Sequence, residues 1–169
     1  IIVVDGGSTD GSQEVVAKHK DVIFLNAEKG RAKQMNAGAK IAQGDILYFL
    51  HCDSFPPQDF DFLILESVAN GNLAGCFRMK FDYAHPVLLV SQWFTRFNHI
   101  SCRGGDQSLF IQKQLFEKLK DETQTLIFYE APHRILESIK NMAEVFGEDR
   151  PVGFAREITK TFETIKKMT

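Results

Sequence analysis

The chain has 169 residues, of which 44% are hydrophobic and 25% charged, the proportions of an ordinary globular protein, and the length allows one domain or one with a small appendage. At this size about two-thirds of the unfolded surface can be buried, so a core needs neither a disulfide nor a metal staple; fifteen Phe and a single Trp are expected to supply much of it. Twenty basic and 22 acidic residues give a net charge of −2, and residues 120–169 hold 8 and 9 of them, so neither part carries a charged tail and strong nucleic-acid binding through bulk charge is not expected.

Cys52, Cys76 and Cys102 are widely spaced with no Cys-x-x-Cys pair, which reads as reduced thiols and a cytoplasmic location. No window approaches about 18 uninterrupted apolar residues, so neither a membrane span nor a signal peptide is expected. Ile1-Ile-Val-Val reads as a buried strand and not as a natural start, and the expectation is that sequence upstream has been lost.

In chain order, apolar runs bounded by turn residues alternate with helix-period segments, the pattern of an α/β fold with strands covered by helices. A strand is expected at 1–4, a glycine-rich turn at 5–12 and a short helix at 10–18 capped by Thr9 or Asp10. A strand at 22–25 precedes a helix at 30–42, in which Ala32, Met35, Ala39 and Ala42 form one stripe. A third strand spans 45–50 and leads to His51-Cys52-Asp53; a helix at 59–68, a strand at 73–81 and a helix at 86–97 with Pro86 in its first turn follow. Then come a strand at 107–111, a helix at 113–119, a strand at 125–129, a helix at 132–146, a strand at 152–155 and a polar tail.

Two of these junctions can carry chemistry. Asp5-Gly-Gly-Ser-Thr-Asp-Gly-Ser follows a strand and precedes a helix, so it lies where α/β proteins bind ligands and can set a carboxylate on a ribose or base; a tight turn with an N-cap explains the same residues. Asp53 ends an apolar strand, where one carboxylate can hold a hard divalent cation together with phosphate oxygens and water; a cap before Ser54-Phe-Pro-Pro is the alternative. His51 reads more readily as a packed histidine than as a ligand.

The order of motifs, Asp5-Gly-Gly-Ser-Thr-Asp10, then Gly30-Arg-Ala-Lys-Gln-Met-Asn-Ala-Gly38, then His51-Cys-Asp53, resembles the family 2 glycosyltransferases from residue 1 to about 119. The resemblance implies a Rossmann-like GT-A type three-layer sandwich, a mostly parallel sheet with helices on both faces. It places Asp5 on the nucleotide base or ribose with Asp10 nearby, and Arg31 and Asn36 beside the nucleotide of a nucleotide-diphosphate sugar. Asp53 would hold Mg²⁺ or Mn²⁺ against the diphosphate. His51 stands at the first position of the family's Asp-x-Asp motif, so metal grip falls to a single carboxylate. Gly104-Gly-Asp-Gln-Ser-Leu-Phe110 matches the family's acceptor-side segment, in which Asp106 would orient the hydroxyl of an unknown acceptor; a turn residue capping the strand is the alternative. The family's catalytic acidic pair is absent from its usual place. Glu148-Asp149, the one Glu-Asp pair, reads as a solvated turn.

Thr125-Leu-Ile-Phe-Tyr-Glu-Ala-Pro-His-Arg134 and Ala155-Arg-Glu-Ile-Thr-Lys-Thr-Phe-Glu163 resemble the start of the C-terminal domain of the bacterial methyltransferases that modify a ribose 2′-hydroxyl of small-subunit ribosomal RNA. Read alone, the same residues form a strand-helix-strand packing unit. The chain is thus expected to be a chimera, with a nucleotide-sugar-binding region at 1–119 lacking its first strand and a methyltransferase-like segment at 120–169 packed on the same sheet. A strand from the second segment, 125–129 or 152–155, is expected to extend that sheet in parallel pairing. Three functions follow: glycosyl transfer; an inactive chimeric scaffold; and, least favoured, a module binding RNA or S-adenosylmethionine.

Overall fold

A computed structural model describes residues 1–99, 102, 107–123, 125–126, 128, 130, 133–156 and 164–168. The chain divides into two compact units, Ile1–Phe116 and Glu117–Thr169, each taken separately below.

The first unit opens with β1 (Ile2–Asp5), the short helix α1 (Ser12–Val16) and β2 (Ile23–Asn26). β1 and β2 pair in parallel with Ile2 opposite Ile23 and Asp5 opposite Asn26. Helix α2 (Arg31–Ile41) returns the chain to β3 (Ile46–Phe49), and α3 (Phe60–Ala69), β4 (Ala74–Cys76), α4 (Pro86–Phe94), β5 (Leu109–Gln112) and α5 (Lys113–Lys118) complete the unit. β3 and β4 run the same way, and β5 lies between them in the opposite direction. The class is the mixed α/β one expected, but among the described residues parallel pairing is confined to β1–β2, and antiparallel ladders join β3, β4 and β5.

Helix α2 joins the two sheets. Toward β1 its Gly38 leaves room that a methyl group would fill to 3.1 Å from Val4 Cγ2. Toward β3, Ala39 packs with Leu47 and Ile111, flanked by Ala42, Phe49, Leu115 and Phe116. The expected stripe therefore holds at Ala39 and Ala42, whereas Ala32 is exposed. Lys113 donates from Nζ to the carbonyl of Ala42 at 2.7 Å, closing the end of α2 onto the start of α5.

The buried apolar residues among those described are Ala39, Leu47, Ile64, Phe110 and Ile111. Phe110 is thus the one Phe of this set, and Phe55 and Phe62 are exposed, contrary to the expectation that Phe fills the core. β4 stops at Cys76 and not at Phe81, since the backbone amides of Met79 and Phe81 donate to side chains on α4 and the turn after it, Thr95 Oγ1 and Gln92 Oε1, in place of a strand partner.

In the second unit a 3₁₀ turn (Leu119–Asp121) precedes α6 (Ile135–Phe146), β6 (Val152–Arg156) and β7 (Thr164–Met168). Ser138 Oγ donates to Glu130 Oε2 at 2.6 Å beside the start of α6, and Arg150 lies over the Phe146 ring at its other end. Glu148 and Asp149 are exposed in the turn that follows. β6 pairs antiparallel with β7, Val152 opposite Met168 and Arg156 opposite Thr164, in place of the parallel pairing expected for 152–155. Thr164–Met168 of the expected polar tail is therefore a strand. Of the strand expected at 125–129, residues 127 and 129 lie outside the described residues and 125, 126 and 128 are not in a strand.

Candidate functional site

The chain leaves β1 through Asp5, whose carboxylate organises the next eight residues. Oδ2 accepts from the amides of Gly7 (3.1 Å) and Ser8 (2.9 Å) and from Gln13 Nε2 (2.9 Å), and Oδ1 accepts from the Ser8 hydroxyl. Asp5 is 8% exposed. The Ser8 hydroxyl and amide, then Gln13 and Gly7, hold its pKa at about 2 against burial, which acts the other way. Gly7, at φ 93°, supplies the left-handed residue the turn needs.

Asp10 makes a second, smaller turn, Oδ1 accepting from the Ser12 amide at 3.1 Å and hydroxyl at 2.6 Å, and these bonds lower its pKa although the nearby Asp5 charge opposes them. Asp10 therefore braces the entry to α1 without occupying its N-cap, which is Gly11 at φ 85°. The expected cap at Thr9 or Asp10 is displaced by one residue because the Asp10 side chain is engaged by Ser12.

The start of α2 is fastened to this turn by Gln34. Its Nε2 donates to the Val4 carbonyl at 2.9 Å, its Oε1 accepts from the Gly30 amide at 3.4 Å, and its amide group lies where a methyl on Gly6 would come within 3.1 Å. Arg31 occupies the first position of α2, and Gly30, at φ 145°, is an N-cap whose side chain offers no competing oxygen. Asn36 is exposed and, two residues from Gln34 and so about 200° around the helix, faces away from the Asp5 turn.

Asp53 lies in the turn after β3, exposed, with Ser54 Oγ donating to its Oδ1 at 3.2 Å and the Ser54 amide closing on the His51 carbonyl at 3.1 Å. No three His, Cys, Asp or Glu side chains gather into a metal-binding group among the described residues. The donor chemistry at Asp53 is one accessible carboxylate, which suits a hard divalent ion only when phosphate oxygens and water supply the remaining ligands. Asp106 lies outside the described residues. Its neighbour Gln107 is buried, and its Nε2 donates to the Phe77 carbonyl at 3.0 Å, tying the segment before β5 to the end of β4.

Asp5, Asp10 and the Arg31 end of α2 thus share one end of β1, while Asp53 and Gln107 belong to the β3–β5–β4 sheet. Ser8, Gln13 and Gln34 were not singled out from sequence. The Asp-x-x-Ser spacing of a side-chain-to-backbone turn was a usable signal for Ser8; Gln34 stands inside the second motif but carries no local signal, because its partner is 30 residues away.

A strand, an acidic glycine turn and a helix start without a side-chain cap come together at the carboxyl end of β1, the end of a strand at which α/β proteins carry their sites. Residues 1–132 match the model of glycosyl transferase family 2, and the chain belongs to that family. The match continues past residue 119, where the resemblance read from the sequence ends.

The chain is also similar to the ribosomal RNA small subunit methyltransferase I of Pseudomonas aeruginosa, 49% identical over 57 residues, which are 34% of this chain and 20% of the relative. The Haemophilus influenzae protein of that name is 50% identical over 54 residues, 32% of this chain and 19% of the relative. That of Vibrio cholerae is 59% identical over 46 residues, 27% and 16% respectively. The chain therefore spans about a fifth of the length of these curated relatives. It joins a family 2 glycosyltransferase segment to a methyltransferase-like one. No solved structure matches it.

Proposed function

We propose that the chain binds a nucleotide-diphosphate sugar at the end of β1 and transfers the sugar to an acceptor. The observation that carries this is the Asp5 carboxylate, held ionised and fixed by four donors beside the uncapped start of α2. Among the described residues Oδ1 takes only the Ser8 hydroxyl, and a carboxylate oxygen has two lone pairs, so one acceptor position is left for a base N–H or a ribose hydroxyl. Asp10 sits in the adjoining turn, and Arg31 with the first amides of α2 suits the diphosphate. Asn36 faces away from that turn, so its part rests on the resemblance alone.

Asp53 would hold Mg²⁺ or Mn²⁺ jointly with the diphosphate; such an ion supplies charge neutralisation to a departing nucleoside diphosphate. Asp106 is assigned to the acceptor hydroxyl. In this reading residues 1–119 carry the chemistry and 120–169 are a methyltransferase-like segment.

A second reading, an inactive scaffold, is favoured by one observation: Asp5 is buried and its carboxylate already takes four donors from Gly7, Ser8 and Gln13, the pattern of a turn brace. Binding of UDP or GDP with Mn²⁺ to the wild type and to Asp5→Asn separates the two. Binding that weakens in the variant supports nucleotide recognition; no binding to the wild type leaves the scaffold. S-adenosylmethionine belongs in the same titration, since its binding in place of a nucleotide would reassign the chain.

A further inference from the structure

Helix α4 is built inside out. Its inward side carries Leu88 and the polar Gln92, followed by Thr95, all half-buried, and the last two take the backbone amides of Phe81 and Met79. The opposite side, an arc through Val87, Leu89, Val90, Trp93 and Phe94 and on to Phe97 in the next turn, is exposed, with Val87 at 67%, Val90 at 56% and Trp93 at 46%. Trp93 packs edge-to-face with Phe94 and with Phe97, and these two rings meet at a tilt, ring centroids 5.0–6.3 Å apart, so the surface is preformed. Tyr83, 71% exposed, stands at the entry to the helix. A globular helix normally shows the reverse arrangement, and exposed apolar groups of this extent mark an interaction surface.

The charges around this surface identify its partner. On a chain of net charge −2, residues 78–99 hold Arg78, Lys80 and Arg96 against Asp82 alone, with His85 and His99 in addition. Arg96 lies over the Trp93 ring at 5.3 Å, so a cation is held at the rim of the aromatic cluster. Aromatic and aliphatic side chains on a short helix, with Arg96 just after it and Arg78 and Lys80 in the exposed segment before it, are the chemistry of a segment that lies in a membrane interface. Among the described residues no helix is long and apolar enough to cross a membrane, and α4, at nine residues, can only rest in its surface. We infer that α4 and the turn after it dock the protein on an anionic lipid surface, with Val87, Val90, Trp93, Phe94 and Phe97 entering the acyl boundary and Arg78, Lys80 and Arg96 facing the headgroups.

Trp93 is the chain's one tryptophan, so its fluorescence reports on this surface directly. The whole chain is mixed with vesicles of phosphatidylcholine alone or with added phosphatidylglycerol, and both emission and flotation are followed. The expected result is a blue shift and flotation with phosphatidylglycerol. Binding to those vesicles is on the order of tenfold or more tighter than to neutral ones and is weakened by salt. Val90→Ser/Phe94→Ser abolishes flotation with an unchanged far-ultraviolet circular dichroism spectrum, and Arg78→Gln/Lys80→Gln narrows the difference between vesicles. No shift with anionic vesicles overturns the inference, and so does equal binding to both compositions. A blue-shifted Trp93 without lipid, in a species that sediments as a dimer, also overturns it and gives the surface to a second copy of the chain. None of these outcomes depends on nucleotide binding.

Discussion

The side-chain amide of Gln34 donates to the carbonyl of Val4 at 2.9 Å, across 30 residues of sequence, and so sets the start of α2 against the end of β1. One hydrogen bond fixes the relation between the two elements that hold the candidate nucleotide site. Because the Val4 carbonyl is half-buried, removing its donor leaves an acceptor with a desolvation cost.

Gln34→Leu is therefore expected to lower stability by about 1–3 kcal/mol. Urea denaturation measures it. Loss of the tether also loosens the Gly30–Arg31 end of α2, so nucleotide affinity falls by more than stability alone explains when binding is measured well below the denaturation midpoint.

Gly75 in β4 faces the ring of Phe110, where a methyl group would come within 2.7 Å of two ring carbons. Phe110 is buried and cannot swing clear. Gly75→Ala should cost about 1–3 kcal/mol through overpacking. In the double variant Gly75→Ala/Phe110→Leu the two losses should be less than additive, which a double-mutant cycle in urea detects.

The Asp5 turn gives stability a pH dependence of known sign. Its pKa falls from 3.8 to about 2 on folding, so the turn's contribution is complete above pH 3.8 and is lost as pH drops through about 2. Acid titration of stability should show this loss in the wild type and a shallower one in Asp5→Asn. Ser8→Ala, which removes the strongest of the four bonds, should move the Asp5 titration seen by NMR back toward 3.8.

Local features were the ones legible in sequence. β1, β2, α2, β3 and α3 lie within a residue or two of expectation, since each is an apolar run or periodic segment bounded by Gly, Asp or Pro. The Asp5 turn was legible because an acidic glycine loop between a strand and a helix is a short-range pattern. Relations at long range were not. β4 was expected to reach Phe81, but Gln92 and Thr95 on a later element take the amides of Phe81 and Met79. β7 was read as a polar tail because Thr164–Met168 becomes a strand only through pairing with β6. The outward-facing apolar side of α4 was equally hidden, as periodicity shows that a helix has an apolar face but not which way it points.

Lys113 closes the C-terminal end of α2 by donating to the Ala42 carbonyl at 2.7 Å, a charged donor at the negative end of the helix dipole. Lys113→Met should cost about 1.5–3 kcal/mol, the range of hydrogen bonds to charged groups. Lys113→Arg should retain most of that, and thermal denaturation of the two variants compares them.

The central claim, that this chain takes a nucleotide-diphosphate donor through Asp5 and a divalent ion through Asp53, is tested most directly by calorimetric titration of UDP and GDP, with and without Mn²⁺, into the wild type and Asp53→Ala. The account predicts binding that needs the metal and is lost in Asp53→Ala while Asp53→Ala melts at the wild-type temperature, its side chain being exposed in a turn. Binding of equal strength in both proteins, or none to the wild type at millimolar nucleotide, would contradict it.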